Sequence, residues 1–131
     1  MASIQPEKVD RFYQSQHYET VAWSADATRV DMPICPEHKN SRGFLHGGAI
    51  LGLADEAAGT CVHTDGRTYV TQSLDCKFIS NMTEGTLHAE AKLLHRGRRT
   101  AVAEFRITSD DGTLIAAGQG IFFCVSDEML Y

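Results

Sequence analysis

Residues 47–62 read GGAILGLADEAAGTCV, and no other stretch limits the fold as strongly. On a helix, Ile50, Leu51, Leu53, Ala54, Ala57, Ala58, Cys61 and Val62 cover nearly every face. A helix that is apolar all round is buried, so this one is predicted to run through the centre of the molecule, enclosed by sheet. Gly52 and Gly59 would each cost about 1 kcal/mol against alanine inside a helix. Close approach of a strand or a partner chain gives them a use. Into this apolar setting the sequence places a carboxylate, Asp55. Burying a lone carboxylate is costly unless it is paired or its pKa rises, which makes Asp55 a candidate for acid–base or nucleophilic chemistry. Glu56, about 100° further round the helix, is expected on an exposed strip.

The rest of the chain is strand-rich. Val21 and Trp23, then Val30, Met32 and Ile34, predict one or two strands between Glu19 and Ile34, closed by Pro33 and Pro36. Residues 35–46 form a polar loop leading into the glycine pair, and residues 68–80 form a further strand. Leu87, Ala89, Ala91 and Leu93 alternate with polar residues up to Arg96-Gly97, and Ala101, Ala103, Phe105 and Ile107 repeat the pattern. Asp110-Asp111-Gly112 is a strong hairpin signal, which leaves residues 113–125 as a long final strand. Ahead of these, Pro6, Val9, Phe12 and Tyr13 are spaced for a short helix over residues 6–16. Long antiparallel strands around one buried helix make an α+β fold. With 131 residues and no linker or repeat, one domain over 1–131 is expected.

The net charge of −5 argues against a nucleic-acid partner and requires that any polyanionic ligand be held by a local basic cluster. No apolar run approaches the ~18 residues of a membrane span. The first residues, MASIQPEKVDRFYQSQHY, lack the features of a signal peptide, so a cytoplasmic protein is expected. In that compartment Cys35, Cys61, Cys76 and Cys124 read as reduced thiols. Cys35-Pro-Glu-His38 has no second ligand pair, and no metal is expected. His17, His38, His63, His88 and His95 have no partner pattern.

The densest signal is Asn40-x5-His46-Gly47-Gly48-x6-Asp55. The glycine pair opens the helix, where free N–H groups and the positive end of the dipole face outward. Such a terminus can polarise a carbonyl and stabilise an oxyanion. Asp55, two turns beyond Gly48, lies roughly 10 Å further along the axis. One chain alone would not bring both to the same substrate, and a partner subunit supplying one of them resolves this.

The run FLHGGAILGLADEAAG resembles the signature of hotdog-fold thioesterases of the phenylacetate-degradation type, and the resemblance extends over about residues 19–125. It implies a hotdog fold, a long central helix wrapped by a curved antiparallel sheet, and hydrolysis of acyl- or aryl-coenzyme A. By the same resemblance Asp55 is the nucleophile or general base, and the Gly47 N–H polarises the thioester carbonyl while Gly48 continues the turn. Asn40 places an amide near the carbonyl or the attacking water, and Ser73 orients water. His46 either bonds near the thioester or fixes the loop before the helix, and the second reading is preferred. In His95-Arg96-Gly97-Arg98-Arg99-Thr100, the resemblance makes Arg96, Arg98 and Arg99 candidate contacts for the CoA phosphates, for which arginine is well suited. Coenzyme A is then part of the substrate and no separate cofactor is expected. The resemblance further implies a homodimer, or a homotetramer built from dimers, with the active site at the subunit interface. Two rival readings stay open: a hotdog hydratase or dehydratase acting on enoyl-thioesters, and a non-catalytic acyl-CoA-binding module.

Overall fold

The computed structural model describes residues 10–130. Strands β1 (Glu19–Ala22), β2 (Thr28–Pro33), β3 (Thr68–Phe78), β4 (Thr86–Arg96), β5 (Thr100–Thr108) and β6 (Leu114–Ser126) form one antiparallel sheet in the order β1-β2-β4-β5-β6-β3. Helix α1 (Arg11–Ser15) precedes the sheet, and helix α2 (Gly47–Val62) packs across its inner face. This is the hotdog arrangement. Residues 6–9 of the expected N-terminal helix lie outside the described residues. Within them the helix begins only at Asp10, whose carboxylate accepts the Tyr13 N–H at 3.0 Å.

The alternation in β4 and β5 delivers Leu87, Ala89, Ala91, Ala101, Ala103, Phe105 and Ile107 to the side facing α2, where all are buried. From α2 they meet Ile50, Leu53, Ala54, Ala57, Ala58, Cys61 and Val62, also buried. Burial of each larger side chain here contributes about 1.5–3 kcal/mol. Within the sheet, a Cβ at Gly118 of β6 would collide with the Asp75 carbonyl of the neighbouring β3, so glycine is needed there. The helix is not walled in on every side, however. Leu51, Asp55, Glu56 and Thr60 are only half-buried, so the sheet of one chain leaves part of α2 uncovered. No helix among the described residues is long and apolar enough to cross a membrane.

Two bulges decide which side chains face the helix. In β4 the register slips between Leu93 and His95, so Arg96 comes opposite the buried Ala101 instead of pointing to the outer face. In β3 it slips between Thr71 and Ser73. Thr71 stays opposite the buried Phe122, and Ser73 moves opposite Ile121, one position along β6.

Candidate active site

The polar loop is pinned in several places before it reaches α2. His38, 1% exposed, accepts the Cys35 N–H on Nδ1 at 3.0 Å, while its carbonyl accepts the His46 N–H at 2.8 Å. Its burial lowers the imidazole pKa and keeps the ring neutral. The C-x-x-H spacing thus builds a turn. Asn40 Oδ1 accepts the N–H groups of Arg42 and Phe44 at 2.9 and 3.2 Å, and Gly43 between them adopts φ 86°, a conformation natural to glycine. Asn81 clamps Leu45 from the far side: Oδ1 accepts the Leu45 N–H at 2.9 Å, and Nδ2 donates to the Leu45 carbonyl at 3.1 Å. A single asparagine in a polar stretch gave no sequence signal for that clamp.

This loop delivers an exposed His46-Gly47-Gly48 turn to the start of α2. His46 is the N-cap, and its Nδ1 accepts the Gly48 N–H at 2.9 Å. Its carbonyl accepts the Ala49 and Ile50 N–H groups at 2.9 and 3.3 Å. The Gly47 N–H alone among these first donors has no partner among the described residues, and the first turn holds no acidic side chain. An exposed N–H at the positive end of a 16-residue helix is suited to an incoming carbonyl oxygen. In this structure His46 thus caps the helix. Gly48 continues the turn, but its N–H is taken.

Asp55 accepts a hydrogen bond from Thr71 Oγ1 at 2.7 Å, which ties it to β3. Ser73 makes no side-chain hydrogen bond among the described residues, so in this chain the hydroxyl beside Asp55 belongs to Thr71. Glu56, expected on an exposed strip, is half-buried instead, as Asp55 is. Burial and then the like charges of Asp10 and Asp55 push the Glu56 pKa up from 4.5 to about 7. Periodicity separated the two carboxylates but gave no information on how far each is buried.

At the far end of α2, Arg96 is tied into the fold. Its Nη1 donates to the Val62 carbonyl at 3.0 Å, to Asp65 at 2.7 Å and to the Tyr69 hydroxyl at 2.8 Å. Arg67 joins the same cluster, bonding Asp65 at 2.8 Å, Tyr69 at 2.6 Å and the Arg98 carbonyl at 2.7 Å. These partners hold the Asp65 carboxyl below its ordinary range despite the opposing effect of burial. Arg96 thus commits Nη1 to the fold, while Nη2 and Nε make no hydrogen bond among the described residues. Arg98 and Arg99 remain exposed at the turn, with Arg99 reaching Asp127 at 3.6 Å.

β3 closes the sheet as an edge strand beside Asp55 and carries an unpaired ladder over 11 residues. Val70 and Phe78 on it and Ile79 just beyond are 50%, 52% and 58% exposed. A long, apolar edge strand is a ready template for pairing with another chain. The Phe78 ring also lies against Gly47, within 3.8 Å of where a Cβ would stand.

Known proteins share this fold and parts of this sequence. The acyl-coenzyme A thioesterase PaaI of Escherichia coli is 27% identical over 92 residues, covering 70% of this chain and 66% of that protein. Its structure superposes with a TM-score of 0.87 over 92% of this chain and 88% of that chain, at 20% identity. A hypothetical thioesterase from Streptococcus pneumoniae, solved with coenzyme A, has the same fold: TM-score 0.80, 21% identity, 88% of this chain and 98% of that one. The family model for the thioesterase superfamily matches residues 42–116, more than half of the chain and inclusive of both the His46-Gly47-Gly48 turn and Asp55. The chain belongs to the thioesterase superfamily.

Proposed function

We propose that this protein hydrolyses acyl- or aryl-coenzyme A thioesters to the free acid and coenzyme A, at sites formed between two copies of the chain. The observation that carries the reading is the unpartnered Gly47 N–H at the head of α2. The thioester carbonyl oxygen accepts this N–H, and the helix dipole stabilises the negative charge that develops there. The Asn40 amide oxygen is occupied by its own turn, which leaves its NH2 for the same oxygen or for water.

Asp55 supplies the second half of the chemistry. One carboxylate oxygen is fixed by Thr71, and the other makes no hydrogen bond among the described residues and is available to act. As general base it takes a proton from water while the oxygen attacks the carbonyl carbon; the C–S bond breaks and the thiolate of coenzyme A leaves, then takes up a proton. As nucleophile it attacks the same carbon, expels the thiolate and leaves an anhydride for water to open. Both routes need Asp55 and Gly47 on one carbonyl, and the continuous helix keeps them about 12 Å apart within a chain. Antiparallel pairing of β3 with a second β3 supplies Gly47 of the partner subunit to Asp55 and covers the exposed apolar edge. Arg98 and Arg99, exposed at the turn, are placed to meet the CoA phosphates.

Thiol release, followed with a colorimetric thiol reagent over short, long and aromatic acyl-CoAs, tests the reading. Release that disappears in Asp55→Asn with the melting temperature retained is the expected result. No release from any CoA, acyl-carrier-protein or small thioester would refute it.

A further inference from the structure

We propose that Asn81 is a positioning residue for the Gly47 N–H: its carboxamide fixes the peptide group next to the one carrying this donor and so sets the direction in which the donor points. The use of the donor in catalysis rests on the proposed hydrolysis, whereas the hold of Asn81 on it does not.

Successive peptide groups lead into α2. The Phe44 carbonyl accepts the Asn40 N–H at 2.8 Å, and the Leu45 N–H of the same group donates to Asn81 Oδ1 at 2.9 Å. In the next group the Leu45 carbonyl accepts from Asn81 Nδ2 at 3.1 Å, and the His46 N–H donates to the His38 carbonyl at 2.8 Å. The group after that joins the His46 carbonyl, held by Ala49 and Ile50, to the Gly47 N–H, which has no partner among the described residues. Only the torsions of His46, φ −67° and ψ 133°, separate the group that Asn81 holds from the group with the free donor. Because peptide groups are planar, no other rotation lies between them. A rotation at Leu45 is therefore passed on to the Gly47 N–H.

Asn81 differs from the other anchors of this turn. Asn40 and His38 belong to the same loop as the groups they hold, and their bonds travel with it. Asn81 lies in the connection between β3 and β4, just past Ile79 and Ser80, whose N–H groups both donate to the Ile115 carbonyl, at 2.8 and 3.1 Å. Ile115 is buried and belongs to β6. The bonds from Asn81 thus tie the turn to the sheet. A carboxamide presents an acceptor and a donor side by side, as the backbone of a neighbouring strand does. The same part of the sheet reaches Asp55, to which Thr71 of β3 donates at 2.7 Å. Strand β3 and the residues that follow it therefore order both groups that the proposed reaction uses.

Asn81 is exposed and lies outside the apolar core, so Asn81→Ala deletes its bonds to Leu45 and opens no cavity. Nitrogen-15 relaxation of the Gly47 amide, without substrate, reads the donor directly. In the wild type its order parameter should be that of rigid backbone, about 0.85; in Asn81→Ala it should fall toward about 0.6, with the amides of α2 beyond Ile50 unchanged. In the same variant kcat for an acyl-CoA should fall about tenfold while KM stays within about twofold, because a misdirected donor weakens the transition state more than the bound substrate. A Gly47 N–H as rigid in Asn81→Ala as in the wild type would overturn the proposal. So would a kcat unchanged by a loosened N–H, or a rise in KM at constant kcat, which would make Asn81 a substrate contact. A loosened N–H in a protein whose wild type releases no thiol from any thioester would uphold the hold of Asn81 and refute the hydrolysis instead.

Discussion

The two ends of helix α2 meet the same problem, unsatisfied backbone groups, in opposite ways. At the C-terminal end side chains close the account: the Gly59 carbonyl accepts from His63 Nδ1 at 2.7 Å, the Cys61 carbonyl from Thr64 Oγ1 at 2.7 Å and the Val62 carbonyl from Arg96 at 3.0 Å. At the N-terminal end His46 satisfies Gly48, Ala49 and Ile50 and leaves the Gly47 N–H open and exposed. A closed end is explained by stability. A donor left unpaired on an otherwise capped helix needs another explanation, and a ligand oxygen provides one. The same contrast sorts the arginines: Arg96 belongs to the closed end, and Arg98 and Arg99 stay available.

Substitutions at the two ends should therefore separate activity from stability. The largest effect is expected at the open end. Gly47→Pro removes the N–H at a first helical position that suits proline, and the preceding His46 is already extended at ψ 133°. kcat should drop by about 10²–10³ with little change in melting temperature. Retained turnover would detach Gly47 from the chemistry. Arg96→Ala should do the reverse. With Asp65 and Tyr69 left short of a partner, unfolding should become easier by about 2 kcal/mol, measured by denaturant titration, while KM for an acyl-CoA changes little. A large KM effect at unchanged stability would return Arg96 to the phosphate site. His46→Ala should cost about 1 kcal/mol of stability through the lost cap. A collapse of kcat beyond that scale would assign His46 to the thioester instead. The smallest change is expected for Arg98→Ala, a rise of several-fold in KM with kcat and melting temperature unaltered; an unchanged KM removes it from the site.

Elements with a strong period could be read from the sequence almost residue by residue. The apolar run from Gly47 to Val62 is α2, alternation set β4 and β5, and Asp110-Asp111-Gly112 is a turn in which Gly112 takes φ 86°. Departures arose where one residue breaks the period. Counting along β3 puts Ser73 on the same side as Thr71, and the bulge between them moves it off. Counting along β4 puts Arg96 on the outer face with Glu90 and Lys92, and the bulge at Leu93–His95 turns it inward. Bulges leave little trace in a single sequence, because one inserted residue changes neither composition nor polarity. Glu56 departed for a different reason. Its pKa is raised by burial and by the charge of Asp10, which lies far from it in sequence, and no local pattern encodes that.

Mixing two inactive variants tests most directly whether Gly47 and Asp55 act on one substrate from different subunits. Asp55→Asn and Gly47→Pro, each silent alone, are unfolded together, refolded and assayed for thiol release. In a twofold-symmetric dimer each mixed pair contains one site with an intact Gly47 facing an intact Asp55. Random assortment should then restore about a quarter of wild-type activity. A mixture as inactive as its components, with mixed dimers demonstrated by mass spectrometry, would mean that each site draws both residues from a single chain.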